Sequence, residues 1–86
     1  MSSFYFTEDG MEDYLYWQAH DKQTLRKINA LLKSISRTPF SGEGKPEPLK
    51  HKGKWSRRIN GTDRLVYGYE QDVITIYQCK GHDDDR

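Results

Sequence analysis

A chain of 86 residues, 34% hydrophobic and 31% charged, has room for one small domain, residues 1–86, that buries roughly 60–65% of its unfolded surface. Six Tyr, three Phe and two Trp supply enough large apolar area to exclude a disordered tail. The single cysteine, Cys79, excludes an internal disulfide, and the opening Met-Ser-Ser-Phe-Tyr-Phe has neither a basic leader nor a membrane-length apolar run. A cytoplasmic, reducing location is therefore expected, with no membrane partner.

In chain order, Ser3 to Phe6 alternates small or polar with aromatic residues and predicts a short strand. Thr7, followed by Glu8 and Asp9, predicts a helix with Thr7 as N-cap and acid groups against the helix dipole. Met11, Tyr14, Leu15 and Gln18 fall on one face of that helix. Trp17, with Tyr14 and Tyr16 at helical spacing, reads as core or dimer-interface packing. His20-Asp21 interrupts, and Asp21 caps a second helix whose Leu25, Ile28, Leu32 and Ile35 form an apolar stripe that ends before Thr38-Pro39. Residues 39–48, with three prolines, Gly42 and Gly44, predict a loop.

After Gly53 the period becomes two. Trp55, Arg57 and Ile59 alternate with Ser56, Arg58 and Asn60; Asn60-Gly61 marks a tight turn; and Arg64, Val66 and Gly68 alternate with Leu65, Tyr67 and Tyr69. A further strand over Val73 to Cys79 completes a three-stranded meander, with Cys79 a small buried side chain. The order β-α-α-β-β-β predicts an α+β domain, two helices on one face of a mostly antiparallel sheet.

The net charge of +1 hides a polarised molecule. Residues 1–32 carry five acidic against three basic groups, −2, while residues 45–64 carry seven basic against two acidic groups, +5. Such a patch attracts polyanions, phosphate esters above all. Glu47, fenced by Pro46 and Pro48 within it, weakens anion binding unless it serves a purpose such as accepting a proton; the alternative is a surface ion pair with Lys45 or Lys50. If Leu65, Tyr67 and Tyr69 face the helices, Arg58 and Arg64 project from the opposite, open face. Glu47 lies in the loop leading to that sheet, and His82 emerges just past the last strand. Three His and one Cys without ligand-pair spacing give no metal site, and no nucleotide-binding glycine loop is present. No cofactor is expected.

Asp13-Tyr-Leu-Tyr-Trp-Gln18, Arg37-Thr-Pro-Phe40, Gly44-Lys-Pro-Glu-Pro-Leu-Lys-His51, Trp55-Ser-Arg-Arg-Ile59 and Arg64-Leu-Val-Tyr67, in this order across residues 4–82, resemble the YoeB toxins of the RelE superfamily. The resemblance implies a small RelE-like, microbial-ribonuclease-type fold. It also implies a type II toxin-antitoxin pair with a YefM-type antitoxin, and cleavage of messenger RNA in the ribosomal A site, so that mRNA and the ribosome with its rRNA are partners. A homodimer is expected, with the helix face around Trp17 as its interface.

Carried onto this sequence, the family's general base falls on Glu47, its transition-state arginine on Arg64 and its general acid on His82, with Arg58 supporting them. Lys45, Lys50, His51, Lys54 and Arg57 are the RNA-contacting set, although Arg57 shares the parity of Ile59 and on that ground reads as packing or antitoxin contact. RNA brings its own nucleophile, the 2′-OH, so a base, an acid and a cationic clamp suffice without a metal. One departure stands out. The family places Tyr after its histidine, whereas here His82 precedes Asp83, and residues 83–86 form a short acidic tail. Aspartate cannot stack on a base, so activity is lowered or the tail bends into solvent, and a binding module without turnover stays open beside the ribosome-dependent nuclease. A nuclease acting on naked RNA is the third reading.

Overall fold

The computed structural model describes residues 2–50 and 53–82. Strand β1 (Ser3–Phe6) ends at Thr7, whose extended backbone starts α1 (Glu8–His20) and whose hydroxyl accepts the Gly10 N–H. Asp21 closes one helix and opens the next. Its N–H donates to the Trp17 carbonyl, and its carboxylate accepts from both the hydroxyl (2.7 Å) and the N–H (3.1 Å) of Thr24 in α2 (Lys22–Arg37). The Thr24 hydroxyl, more than any other group, lowers the pKa of this carboxyl. In α2, Ile28, Leu31 and Ile35 are fully buried, and Leu25 and Leu32 pack at the margin; each fully buried side chain of this kind contributes about 1.5–3 kcal/mol of transfer free energy.

The remaining strands are β2 (Glu47–Pro48), β3 (Lys54–Arg58), β4 (Arg64–Glu70) and β5 (Val73–Gln78). They form a five-stranded sheet in the order β1-β5-β4-β3-β2, with β1 parallel to β5 and every other pair antiparallel. Both helices pack on one face, over Leu65, Tyr67, Ile74, Ile76 and Cys79. The α+β class and the two-helix layer agree with the sequence reading.

Three local features differ from it. The expected loop at 39–48 contains a two-residue edge strand, β2, which pairs Glu47 with Ser56 and Pro48 with Trp55; an edge is where a proline without an N–H is tolerated. The inner face of α1 is Gly10, Asp13 and Trp17, whereas Met11 and Leu15 lie at the surface. The reason is close approach: a Cβ on Gly10 would lie 2.3 Å from the Ile76 carbonyl oxygen, so the helix crosses β5 where it has no side chain. Asp13 is inside because Cys79 lies just past the end of β5: the carboxylate accepts the Cys79 N–H at 3.0 Å while Trp17 Nε1 donates to the Cys79 carbonyl at 2.7 Å. Trp17 is thus a buried clamp within the chain. Finally, β5 carries a bulge. Val66 faces Gln78 and Tyr67 faces Ile76, leaving Tyr77 as the extra residue, and the bulge re-aims Gln78.

Candidate active site

The sheet register sets the site. Leu65 and Tyr67 face the helices, so Arg64 and Val66 face the open side. Arg58 is directly opposite Arg64, Ser56 is opposite Val66, and Glu47 is opposite Ser56. Neighbouring strands are about 4.8 Å apart, and Arg64 reaches from β4 over β3 to bring its Nη1 within 3.3 Å of Glu47 Oε1 on β2. The guanidinium side chain is 21% exposed and the carboxylate 59%. A pair this exposed contributes little to stability, and Arg58 directly opposite Arg64 costs stability, since like charges on facing strand positions repel. The arrangement gains its sense when an anion sits between the guanidinium groups.

Arg58, Arg64, Lys45 and Lys27 line one open cleft of about 540 Å3, with Asn60 and Gly61 at its rim. Lys45 is held there in the left-handed region (φ 53°), after Gly44 (φ 87°), whose carbonyl accepts the Arg58 N–H at 2.7 Å. A side chain on Gly44 would press on Leu31 and on Arg57 Cβ. Non-glycine residues with this backbone cluster at functional sites. Other acid groups near the cleft are already engaged: Glu43 pairs with Lys27 at 3.3 Å, and Asp63 accepts from the Gly81 N–H at 2.7 Å and the Thr62 hydroxyl at 3.1 Å. Arg58 and Lys45 have no carboxylate at ion-pairing distance among the described residues.

His82 is exposed, and its backbone is held close to Arg64. The Arg64 N–H donates to the Gly81 carbonyl at 2.9 Å, Asp63 holds the Gly81 N–H, and the Gln78 amide donates to the carbonyls of Lys80 and His82. The Asn60-Gly61 turn that precedes Arg64 is a side-chain-capped loop, with Asn60 Oδ1 accepting from the N–H groups of Thr62 and Asp63. Lys54 lies farther along the open face, opposite Gly68, with Nζ 4.2 Å from the centre of the Tyr77 ring. Lys50 is exposed just beyond β2. His51 and residues 83–86, including Asp83, lie outside the described residues.

Arg57 corrects an expectation. It is fully buried on the helix side and meets no solvent, so it does not contact RNA. Its five N–H groups find five acceptors: Tyr67 Oη at 3.1 Å, Ser34 Oγ at 2.7 Å, and the carbonyls of Glu43, Thr38 and Ser41 at 2.9, 2.6 and 2.8 Å. Tyr67 in turn donates to the Pro39 carbonyl at 2.7 Å, and burial pushes its phenol pKa up. This hub pins residues 38–44 and so steadies Gly44 and Lys45 beside the cleft. The sequence reading missed Lys27, Asp63 and Gln78 as parts of the site. Lys27 belongs by position to the acidic half of the chain, and the roles of Asp63 and Gln78 depend on a turn and a bulge that bring distant backbone to them.

Fold and cleft together define a small α+β protein with Arg58 and Arg64 on the open sheet face, Glu47 paired to Arg64 there, and Lys27 and Lys45 lining the adjoining cleft. The sequence profile of YoeB-like toxins of bacterial type II toxin-antitoxin systems matches residues 6–83. Toxin YoeB of Escherichia coli K12 is 52% identical over 79 residues, spanning 90% of this chain and 94% of that protein. Among solved structures, the YoeB dimer from Staphylococcus aureus superposes with a TM-score of 0.89 at 46% identity, covering 94% of this chain and 97% of that one. The YoeB-YefM complex from the same organism gives 0.87 at 45% identity, with 95% and 98% covered. The chain belongs to the YoeB-like toxins of bacterial type II toxin-antitoxin systems.

Proposed function

We propose that this toxin is a ribosome-dependent endoribonuclease that cleaves messenger RNA in the A site and thereby stops translation. Glu47 takes the proton of a ribose 2′-OH, that oxygen attacks the adjacent phosphorus, and the 5′ oxygen leaves with a proton from His82. Arg64 and Arg58 hold the phosphoryl oxygens as charge builds on them. The products are a 2′,3′-cyclic phosphate and a 5′-OH end, and no metal enters the cycle. The observation that carries this reading is the Glu47 carboxylate 3.3 Å from Arg64, on the same face as Arg58 and beside a cleft lined by lysines. An acid group in that setting opposes anion binding and earns its place as a base.

The ribosome supplies what the isolated cleft lacks: an extended single strand held with one phosphodiester over the two arginines. Lys45, Lys50, His51 and Lys54 contact the RNA backbone around that point. A YefM-type antitoxin with an acidic, apolar segment silences the toxin by covering the same basic face and folding as it binds; the Staphylococcus aureus relative forms a complex with YefM. The toxin pairs as a homodimer, as its dimeric relative does, and acts in the cytoplasm.

The test adds purified protein to translating ribosomes and maps message ends by primer extension. Ribosome-dependent cuts that vanish in Glu47→Gln and in His82→Gln are expected. Stalled translation without new RNA ends indicates a binding module and contradicts catalysis, and cuts on naked RNA contradict the need for the ribosome.

A further inference from the structure

Ser56 is fully buried in the middle of β3, and its hydroxyl has no hydrogen-bond partner among the described residues. Buried hydroxyls are almost always bonded, and one left unsatisfied costs free energy comparable to a lost hydrogen bond. Its place in the register is informative. Ser56 is directly opposite Glu47 on β2 and opposite Val66 on β4, so its side chain shares the open face with Glu47, and facing side chains on antiparallel strands have Cβ atoms about 4.5–5.5 Å apart. The Arg64 side chain crosses β3 to reach Glu47. The idle donor therefore occupies the cross-strand position facing Glu47, whose carboxylate Arg64 now holds.

We propose that Ser56 is a positioning residue that donates its hydroxyl to the Glu47 carboxylate when Arg64 turns from Glu47 to the substrate phosphate. The two demands on Arg64 conflict. As a phosphate clamp it must leave Glu47, and a carboxylate released from its only ion-pair partner among the described residues would rotate away from the 2′-OH and be a poorly aligned base. A neutral donor on the neighbouring strand resolves the conflict without placing another cation beside the base. It also accounts for a polar side chain where alanine would fit and satisfy the sheet equally well. The inference rests on the assignment of Glu47 as general base, and it adds a residue to which the family resemblance gives no role.

Ser56→Ala provides the test, because the structural and functional expectations have opposite signs. If Ser56 merely fills space, alanine relieves an unsatisfied hydroxyl and leaves both stability and cleavage intact. If it positions Glu47, the variant unfolds at the same or higher denaturant concentration, yet cleaves ribosome-bound message roughly 10- to 100-fold more slowly, the range for a hydrogen bond to a charged group. Ser56→Thr, which keeps the hydroxyl, restores the rate, while Ser56→Val, matched to it in shape, does not; this pair decides the matter should alanine fail to fold. A readout independent of turnover is the 13C NMR titration of the Glu47 carboxyl in inorganic sulfate, a non-titrating anion that engages the arginines. In sulfate the Glu47 pKa is higher in Ser56→Ala than in the parent, since a donor to the ionised form lowers the pKa, and without sulfate the two agree. Full cleavage by Ser56→Ala with an unaltered titration in sulfate overturns the role of Ser56. Glu47→Gln in the same cleavage assay separates the two claims: if it is inert while Ser56→Ala is fully active, only the Ser56 inference falls, whereas an active Glu47→Gln removes the base and the inference with it.

Discussion

Replacing Arg57 by lysine tests whether the inward arginine of the Arg57-Arg58 pair is structural, and its cost follows from a count of donors. The guanidinium fills five acceptors, three of them loop carbonyls and two of them hydroxyl oxygens. An ammonium group has three N–H donors, so at least two of these charge-assisted hydrogen bonds are lost. At about 1.5 kcal/mol each, the low end for a hydrogen bond to a charged group because four of the five bonds are only part-buried, Arg57→Lys costs about 3 kcal/mol. That is a large part of the roughly 5–15 kcal/mol that holds a small domain together. Urea denaturation read by tryptophan fluorescence measures it, with the midpoint falling and the slope unchanged. Arg58→Lys, one residue away on the opposite face, leaves the midpoint within about 0.5 kcal/mol of the parent. If Arg57→Lys is as stable as Arg58→Lys, or if it weakens RNA binding while leaving the denaturation curve in place, the buried-hub reasoning is wrong.

Gly10→Ala, in a helix where alanine is normally favoured by about 1 kcal/mol, is expected to destabilise instead, because the new Cβ lies 2.3 Å from the Ile76 carbonyl; a raised melting temperature would show that α1 does not cross β5 there. The raised phenol pKa of Tyr67 means that the folded state holds this proton more tightly than the unfolded chain. The resulting stability is complete below a pH of about 10, the unfolded phenol value, and is lost as pH rises through the folded value. Stability measured from pH 8 to 11 should fall at the alkaline end, and Tyr67→Phe should lower the whole curve and flatten that fall. Arg58→Gln should reduce the salt dependence of binding to a short single-stranded RNA, the slope of log K against log salt losing roughly 0.7, while its unfolding midpoint holds or rises slightly as the repulsion from Arg64 is removed; an unchanged slope would remove Arg58 from the phosphate-contacting set.

Much of the fold is legible because the signals are local. Thr7 and Asp21 cap their helices through N–H groups three residues away, the α2 stripe depends only on helical spacing, and strand parity separates Arg58 and Arg64 from Leu65 and Tyr67. What escapes the sequence is whatever depends on a distant backbone. Gly10 and Asp13 face inward because β5 comes so close and because Cys79, 66 residues from Asp13, has an N–H to satisfy. Arg57 reads as one more member of a basic run, yet the acceptors that make a buried guanidinium tolerable lie 10 to 23 residues away in sequence. The β5 bulge, which turns Gln78 toward the carbonyls around His82, leaves no mark in a pattern of alternating residues. Within the cleft, parity puts the arginines on the open face, but the reach of Arg64 across a whole strand to Glu47 depends on the β2–β3 pairing, hidden in a proline-rich stretch that reads as loop.

The account turns on the carboxylate among the cations, and the most direct measurement is single-turnover cleavage of ribosome-bound message by the parent protein and by Glu47→Gln across pH 5 to 9. General-base catalysis contributes typically 10²–10⁴-fold. Glu47→Gln is therefore expected to cleave at least 100-fold more slowly while binding the ribosome as tightly. Cleavage by Glu47→Gln within a few-fold of the parent across this range would contradict the role of the carboxylate as base.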